Sequence, residues 1–513
     1  MELQVRKAAE MQTTGRIDEA ASLLDAVIRK SPGHLGAHHR LGTIRRQQGR
    51  LDESLALLRK AVELNASFPD ALNSLGNTLQ ALGRHEEAMS RYERALALRP
   101  EYPDAHNNLG NSYKALGKLE EAVACYRKAI AMRPSFEAAH SNLGNALTAM
   151  GRPDEAMGFY ERALALRPDL GMLHSNLGTA LLALNRHGEA AERFERAREL
   201  DSDLPQPQLN LAMARLALGE YERGWADFEA RSRSPQRKQN RREYAQPCWD
   251  GRVNLAGKTI LVYFEQGIGD TLQFARYVPL LARRGARVIF EVQKPLLRLF
   301  QGLEGAAVLL GEGESPPVFD YHAPLLSLPL MFGTTLDRVP AEVPYLRSQP
   351  VENAGATGLC WAGNPGYAND HNRSIPLAKL APVLDVEGAR FVSLQRNLRA
   401  GDEEILAWRP NVDGEQDQRG RDLADTAALI AGLDLVITVD TAVAHLAGAL
   451  GRDVWVLLPF SAHWAWLRQR EDSPWYPTAR LFRQPRIGDW ESVADRVAEG
   501  LHERLSGTLL KES

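Results

Sequence analysis

Cysteine is scarce in this chain. Only Cys125, Cys248 and Cys360 occur in 513 residues, far apart and never as C-x-x-C, which indicates neither a disulfide framework nor a structural zinc. Cys360, on a predicted strand, is expected as a small core residue. Excess charge is lacking too: with 62 basic against 65 acidic residues, no global field draws nucleic acid or an anionic membrane, so any anion site is local. No apolar run reaches the roughly 18 residues that a bilayer span needs, and the first residues contain no apolar stretch of signal-peptide length. A cytoplasmic protein without a transmembrane segment is expected. Asp-x-Asp occurs once, as Asp201-Ser202-Asp203, at a repeat boundary where a turn is expected. That turn gives no metal-binding motif, and neither metal nor cofactor is expected.

What the chain has in abundance is repetition. Leu-Gly recurs at 41–42, 75–76, 109–110, 143–144 and 177–178, always 34 residues apart, and Leu211-Ala212 keeps the register. A second glycine keeps the same period at Gly15, Gly49, Gly83, Gly117, Gly151 and Gly219, with Asn185 in the one gap, and prolines close repeats at Pro32, Pro100, Pro134 and Pro168. Small residues let two helices approach, the turn glycine takes φ > 0 and proline ends the second helix. This is the tetratricopeptide (TPR) pattern, in about seven units over residues 1–234, which stack into an α-helical superhelix with a concave surface.

Asn108 and Asn111, and Asn142 and Asn145, lie three apart and hence on one face of each first helix. Ser74 replaces the first member one repeat earlier, while Asn77, Asn176 and Asn210 extend the row. Side-chain amides donate and accept at once, so such a row can hold an extended peptide regardless of its sequence. The row resembles the asparagine ladder in the repeat domain of protein O-linked N-acetylglucosamine transferase. The plain alternative is that Asn is simply common before Leu-Gly.

After Tyr221-Glu222-Arg223-Gly224-Trp225 the period fades. Residues 231–242 carry Arg231, Arg233, Arg237, Lys238, Arg241 and Arg242 with no acid. Nucleic acid or lipid headgroups are open readings of this cluster; a solvated connector over 235–257 is the expected one. From Lys258 strands alternate with helices, with strands expected at 259–264, 287–292, 308–310, 358–361, 391–394, 433–439 and 454–458, and helices at 272–284, 377–384 and 425–431. Such alternation predicts parallel sheets covered by helices, as two doubly wound domains over 258–350 and 356–513.

Two strand-to-helix turns carry chemistry. The first is Gln266-Gly267-Ile268-Gly269-Asp270-Thr271. It is a poor dinucleotide fingerprint, because Leu272 stands where the third glycine belongs and Asp270 would oppose a pyrophosphate. Asp270 suits a general base, or else an N-cap. The second is Asp440-Thr441, where a β-branched run enters an alanine-rich helix. The unpaired N–H groups of Thr441, Ala442 and Val443 and the helix dipole suit a phosphate there, unless Asp440 merely caps the helix. Between them lie Trp361-Ala362-Gly363-Asn364 and a polar loop with His371 and Arg373, a guanidinium able to grip a diphosphate. His445 lies one turn into the helix, as a ligand-side group or a satisfied core histidine. The aromatics Trp464, Trp466, Trp475 and Tyr476 are equally core or stacking surface.

Taken together, G-I-G-D after a first strand, W-x-G followed by R-S-I-P, and D-T-A-V-A-H-L-A-G-A-L-G resemble the heptosyltransferase-like glycosyltransferases of family nine over about residues 255–485. The chain is also similar to bacterial proteins that join a TPR array to such a domain. The resemblance implies the glycosyltransferase B fold of two Rossmann-like domains, metal-independent and inverting. It places the catalytic carboxylate at Asp270, beside Gly267 and Gly269, and the donor diphosphate and sugar at Asp440, Thr441 and His445. Arg373 stands where the family has a phosphate-binding lysine, and Ile375 where it has a tryptophan, so charge is kept but the family's ADP-heptose donor is not to be assumed. Gln395 is a further donor-side candidate. Expected partners are a nucleotide-sugar and a protein or peptide on the TPR face, with peripheral membrane contact open and no nucleic acid. The expected function is sugar transfer to a protein or surface-glycan acceptor; a scaffold with an inactive or nucleotide-sensing domain is the alternative.

Overall fold

The computed structural model describes residues 1–233, 242–353, 355–367, 369–413 and 422–507. They form two compact units, Met1–Ala180 and Leu181–Ser513. The division falls within the helix Gly171–Ala183 of the sixth hairpin, earlier than the end of the repeat period.

In the first unit ten helices, from Glu2–Thr13 to Pro153–Leu166, pair as five hairpins. The repeat pattern explains their closeness. A Cβ on Gly76 would lie 2.5 Å from the Tyr92 ring of the partner helix, so only glycine admits the tyrosine there. The turn residues have positive φ throughout, including Asn185 at 60° in the second unit, as expected of the residue type that best tolerates αL after glycine. A pin not anticipated from sequence recurs as well. The Nε2 atoms of His38, His106, His140 and His174 lie 2.8, 3.1, 2.9 and 3.1 Å from the carbonyls of Pro32, Pro100, Pro134 and Pro168. A carbonyl only accepts, so each Nε2 carries the proton.

The second unit begins with the last hairpins and continues into two parallel sheets. The first has order β3-β2-β1-β4, with β1 Thr259–Tyr263, β2 Arg287–Val292, β3 Ala306–Gly311 and β4 Tyr321–Pro324. The second has order β10-β9-β8-β5-β6-β7, with β5 Thr357–Cys360, β6 Phe391–Ser393, β7 Val412–Asp413, β8 Leu435–Val439, β9 Val454–Leu458 and β10 Ala479–Arg483. Strand β8 is buried at all five positions, as a strand covered on both faces should be. The order reverses between β5 and β8, and open α/β sheets bind ligands outside the carboxyl ends of the strands at such a reversal.

Two sequence expectations need correction. The helix expected over 272–284 is two helices, Ile268–Phe274 and Tyr277–Arg283, because Pro279 offers no N–H and its ring opposes the carbonyl four residues back. The basic stretch is only partly solvated where it is described: Arg233 is exposed, but two other arginines are engaged with carboxylates. Arg231 is 2% exposed and pairs with Glu229 at 2.5 Å and Glu265 at 2.9 Å, while Arg242 pairs with Glu291. The counter-ions Glu265 and Glu291 are distant in sequence, which a local charge count cannot see. Residues 234–241, with Arg237, Lys238 and Arg241, lie outside the described residues.

Candidate functional site

The helix Ala442–Ala449 begins at Thr441, whose Oγ1 accepts from the Val443 N–H at 3.3 Å. Thr441, not Asp440, is therefore the cap. Asp440 ends the β8 turn, and its carbonyl accepts from Arg373 Nη1 at 3.2 Å. That hydrogen bond spans the β5/β8 reversal, since Arg373 belongs to the short helix Asp370–Arg373 reached from β5. Tyr367 lies under the guanidinium, its ring centre 4.4 Å from the guanidinium carbon.

The Gly267–Asp270 turn reaches the same helix. A Cβ on Gly269 would sit 3.2 Å from His445 Cδ2 and 3.9 Å from Ala442 Cα, so this glycine permits the close approach. Gly267 is the N-cap of Ile268–Phe274, and Asp270 Oδ2 accepts the Gly267 N–H at 3.0 Å. Asp270 is thus the third residue of its helix rather than the cap, half-buried and fixed by the backbone.

His445 is buried. Its Nδ1 lies 3.0 Å from the Tyr476 hydroxyl, and its ring stacks on Trp466 at 5.4 Å between centroids. Burial lowers its pKa to about 4, so it is a neutral imidazole near pH 7. Trp466, Trp475 and Tyr476 are core residues, each at most 1% exposed. At the far strand edge, Arg483 donates to the Trp466 carbonyl at 2.5 Å and the Arg470 carbonyl at 3.1 Å. Burial, then the Arg470 charge, lowers its pKa to about 10.

The structure thus brings together Gly267, Gly269, Asp270, Arg373, Asp440, Thr441, Ala442, Val443 and His445. Gln395 has another use. Its Oε1 accepts the Trp361 and Ala362 N–H groups at 3.1 and 3.0 Å, and its Nε2 donates to the Ala362 and Asn397 carbonyls. The amide thereby brackets the β5 and β6 ends. Sequence reasoning missed Asp370 and Arg399. Asp370 is 3% exposed, accepts from Ser374 Oγ at 2.9 Å and pairs with Arg399. Asp370 stands three residues before Arg373 on one helical turn, a spacing that signals it; Arg399 has no local signal.

The row of repeat asparagines, in the first unit, is wired in alternation. Asn77, Asn111 and Asn145 accept with Oδ1 from the hydroxyls of Tyr92, Tyr126 and Tyr160 at 2.7 to 2.8 Å. Asn108, Asn142 and Asn176 donate with Nδ2 to Asn73, Asn107 and Ser141 of the preceding repeat.

A cavity of about 420 Å³ lies elsewhere, lined by Pro344, Leu346, Arg347, Ala431, Leu450 and Arg452 among others. It abuts the carboxyl end of the helix Ala442–Ala449, away from these side chains.

Comparison with known proteins finds repeat families in the first half of the chain and a glycosyltransferase segment in the second. Residues 42–83, 79–117 and 110–151 match the family TPR repeat, and 135–203 and 175–236 match two families described as tetratricopeptide repeat. Residues 421–458 match glycosyltransferase family 9 (heptosyltransferase), a span that includes β8, the Asp440-Thr441 turn and its helix. Protein FlbA of Caulobacter vibrioides is 28% identical over 324 residues, 55% of this chain and 52% of FlbA. The chain therefore spans about half the length of that relative. A thermophilic TPR protein of Thermus thermophilus is 27% identical, covering 36% of this chain and 99% of its own, with a TM-score of 0.33. A tetratricopeptide repeat protein from Parabacteroides merdae is 21% identical, covering 46% and 94%, with a TM-score of 0.39. The chain joins a tetratricopeptide array to an α/β part with a family 9 glycosyltransferase segment. No helix among the described residues is long and apolar enough to cross a membrane.

Proposed function

We propose that this chain is a metal-independent, inverting glycosyltransferase that moves a sugar from a nucleotide-sugar to a protein or surface-glycan acceptor. In this reading the two parallel sheets are the two Rossmann-like halves of a glycosyltransferase B fold, with acceptor loops on the first and the donor site on the second. The observation that carries it is the Arg373–Asp440 hydrogen bond across the β5/β8 reversal, with the Gly269 turn against the same helix. Cation, helix start and carboxylate turn converge at one place.

The chemistry follows from those positions. The acceptor hydroxyl oxygen attacks the anomeric carbon from the face opposite the nucleotide, and Asp270 takes its proton. As the new C–O bond forms, the bond to the diphosphate oxygen breaks. The leaving diphosphate carries the developing charge, which Arg373 and the N–H groups of Thr441 and Ala442 stabilise; the Val443 N–H is taken by the Thr441 cap. His445, neutral, offers hydrogen bonding without charge. The asparagine row supports recruitment of an extended peptide: Asn77, Asn111 and Asn145 keep Nδ2 donors, and Asn142 and Asn176 keep Oδ1 acceptors, the complement of a peptide backbone, while Asn108 Oδ1 already accepts from Asn107 Nδ2 at 3.4 Å.

The test is thermal stabilisation of the purified chain by ADP, UDP, GDP and CMP, with and without magnesium, beside Arg373→Ala. A ligand at about a hundredfold over its Kd adds about 2.7 kcal/mol of stability. A magnesium-independent shift with one nucleotide, lost in the variant, is expected; no shift with any nucleotide overturns the reading in favour of a scaffold.

A further inference from the structure

We infer that Arg399 is a second ligand of the donor diphosphate and that Asp370 is the positioning residue that holds Arg373 and Arg399 as a pair. The inference rests on the donor-site reading above and extends it to residues which that reading does not use.

Asp370 is a buried carboxylate shared between two guanidiniums. Its Oδ1 lies 3.6 Å from Arg373 Nε and its Oδ2 pairs with Arg399 Nη2. The distance to Arg373 Nε exceeds a hydrogen bond, and that N–H is buried without a hydrogen-bond partner. Arg399 Nη2 also lies 3.3 Å from the Gly363 carbonyl and 3.3 Å from Ser374 Oγ. Gly363 makes the arrangement possible, since a Cβ there would fall 2.6 Å from Asp370 Oδ1 and 2.7 Å from Arg373 Nη2. The two arginines come from loops that follow adjacent strands, β5 and β6, and meet at the carboxyl edge where Asp440 ends β8.

The charge balance is what points to a ligand. One carboxylate faces two cations: among the described residues neither guanidinium pairs with another carboxylate within 4 Å, while Asp402 Oδ2 accepts the Arg399 backbone N–H at 2.8 Å. A buried or half-buried guanidinium without a counter-ion costs solvation free energy. Arg399 retains donors directed away from Asp370, with its side chain 37% exposed. Two guanidiniums fixed on one carboxylate form a preorganised double fork, which suits two adjacent phosphoryl groups better than a single lysine-like point charge. Arg373 then takes the phosphoryl beside the Asp440 turn and Arg399 the other.

Binding of ADP, UDP and GDP is measured by calorimetry over a range of salt concentrations for the wild type and for Arg399→Ala, Arg399→Lys and Asp370→Asn, with thermal melts as the fold control. The expected result is a loss of about tenfold or more in diphosphate affinity for Arg399→Ala, with a shallower salt dependence, and partial recovery in Arg399→Lys. Asp370→Asn separates positioning from simple charge. Removing a negative charge near an anion site would tighten binding if charge alone mattered, whereas loss of the strut weakens it. A wild type that binds a diphosphate while Arg399→Ala binds it equally well overturns the inference and leaves the donor site standing. Tighter binding in Asp370→Asn overturns the positioning role. A wild type that binds none of the three overturns the donor-site reading itself, and this inference with it. Should Arg399→Ala fail to fold, the neutral Arg399→Gln carries the test, and unchanged affinity and salt slope there overturn the inference.

Discussion

The indole N–H of Trp475 donates to the Tyr221 hydroxyl at 3.0 Å, with both residues buried. Tyr221 opens the last repeat helix, Tyr221–Phe228, and Trp475 lies between β9 and β10. Around them Trp225 packs edge-on against Phe274, Trp464 and Trp475. Arg276 donates to the Trp475 carbonyl at 2.6 Å and to the Pro340 carbonyl at 2.9 Å. The last hairpin is therefore built into the core of the α/β unit, and Trp475 is next in sequence to Tyr476, the partner of His445.

Tyr221→Phe leaves the Trp475 N–H buried and unpaired, so the α/β unit should lose about 1–3 kcal/mol of stability. Adding Trp475→Phe removes the stranded donor, and the double variant should lose less than the sum of the two single changes. Thermal unfolding of the full chain followed by tryptophan fluorescence and near-UV circular dichroism reads both; strict additivity would show that this hydrogen bond does not couple the residues.

Asp270→Asn keeps the shape of the side chain and an oxygen for the Gly267 N–H, but removes the carboxylate proposed as the base. Sugar transfer should fall by about a hundredfold or more, with the nucleotide dissociation constant unchanged. Equal transfer by both proteins would exclude Asp270 from proton removal.

Burial lowers the pKa of His445 and of His187 to about 4. The unfolded chain takes up these protons near the ordinary value of 6.5, before the folded chain does. Stability is therefore complete above about pH 6.5 and is lost as pH falls towards 4. At about 1.4 kcal/mol per pH unit, each histidine removes roughly 3 kcal/mol over that window. Urea midpoints measured between pH 7 and pH 4.5 should fall, and His445→Gln should flatten the fall. Equal slopes in the two proteins would remove His445 from the effect.

The repeats were legible in the sequence because one geometric requirement recurs at a fixed period: Gly76 must admit Tyr92, and the turn residue must take positive φ. The strand β8 and its helix were legible because a fully buried parallel strand is a continuous apolar run. Short strands at the sheet margins were not. β4, β7 and β10 carry little apolar pattern of their own and were recognised only from their pairing. Arg231 was misplaced because Glu265 lies 34 residues on. Arg399 was invisible for a related reason, as its meeting with Asp370 depends on two loops that the sheet order brings together. Gln395 is a polar residue at a strand end, where bracketing backbone and binding a ligand look alike in sequence.

The asparagine row yields a test in which fold and recognition separate. Replacing Asn111 and Asn145 by alanine would strand the Tyr126 hydroxyl and leave that of Tyr160 with Thr148 Oγ1 at 3.3 Å, costing stability for reasons unrelated to any ligand. Aspartate keeps an Oδ1 acceptor for each hydroxyl while removing the Nδ2 donor. The double change Asn111→Asp and Asn145→Asp should therefore leave the melting temperature of the repeat array nearly unchanged. Retention of a library of unstructured peptides on the immobilised chain should drop sharply, because a peptide carbonyl would face a carboxylate instead of an amide donor. Retention equal to that of the wild type would mean that these amides only hold tyrosines, and that the acceptor is recruited elsewhere on the chain.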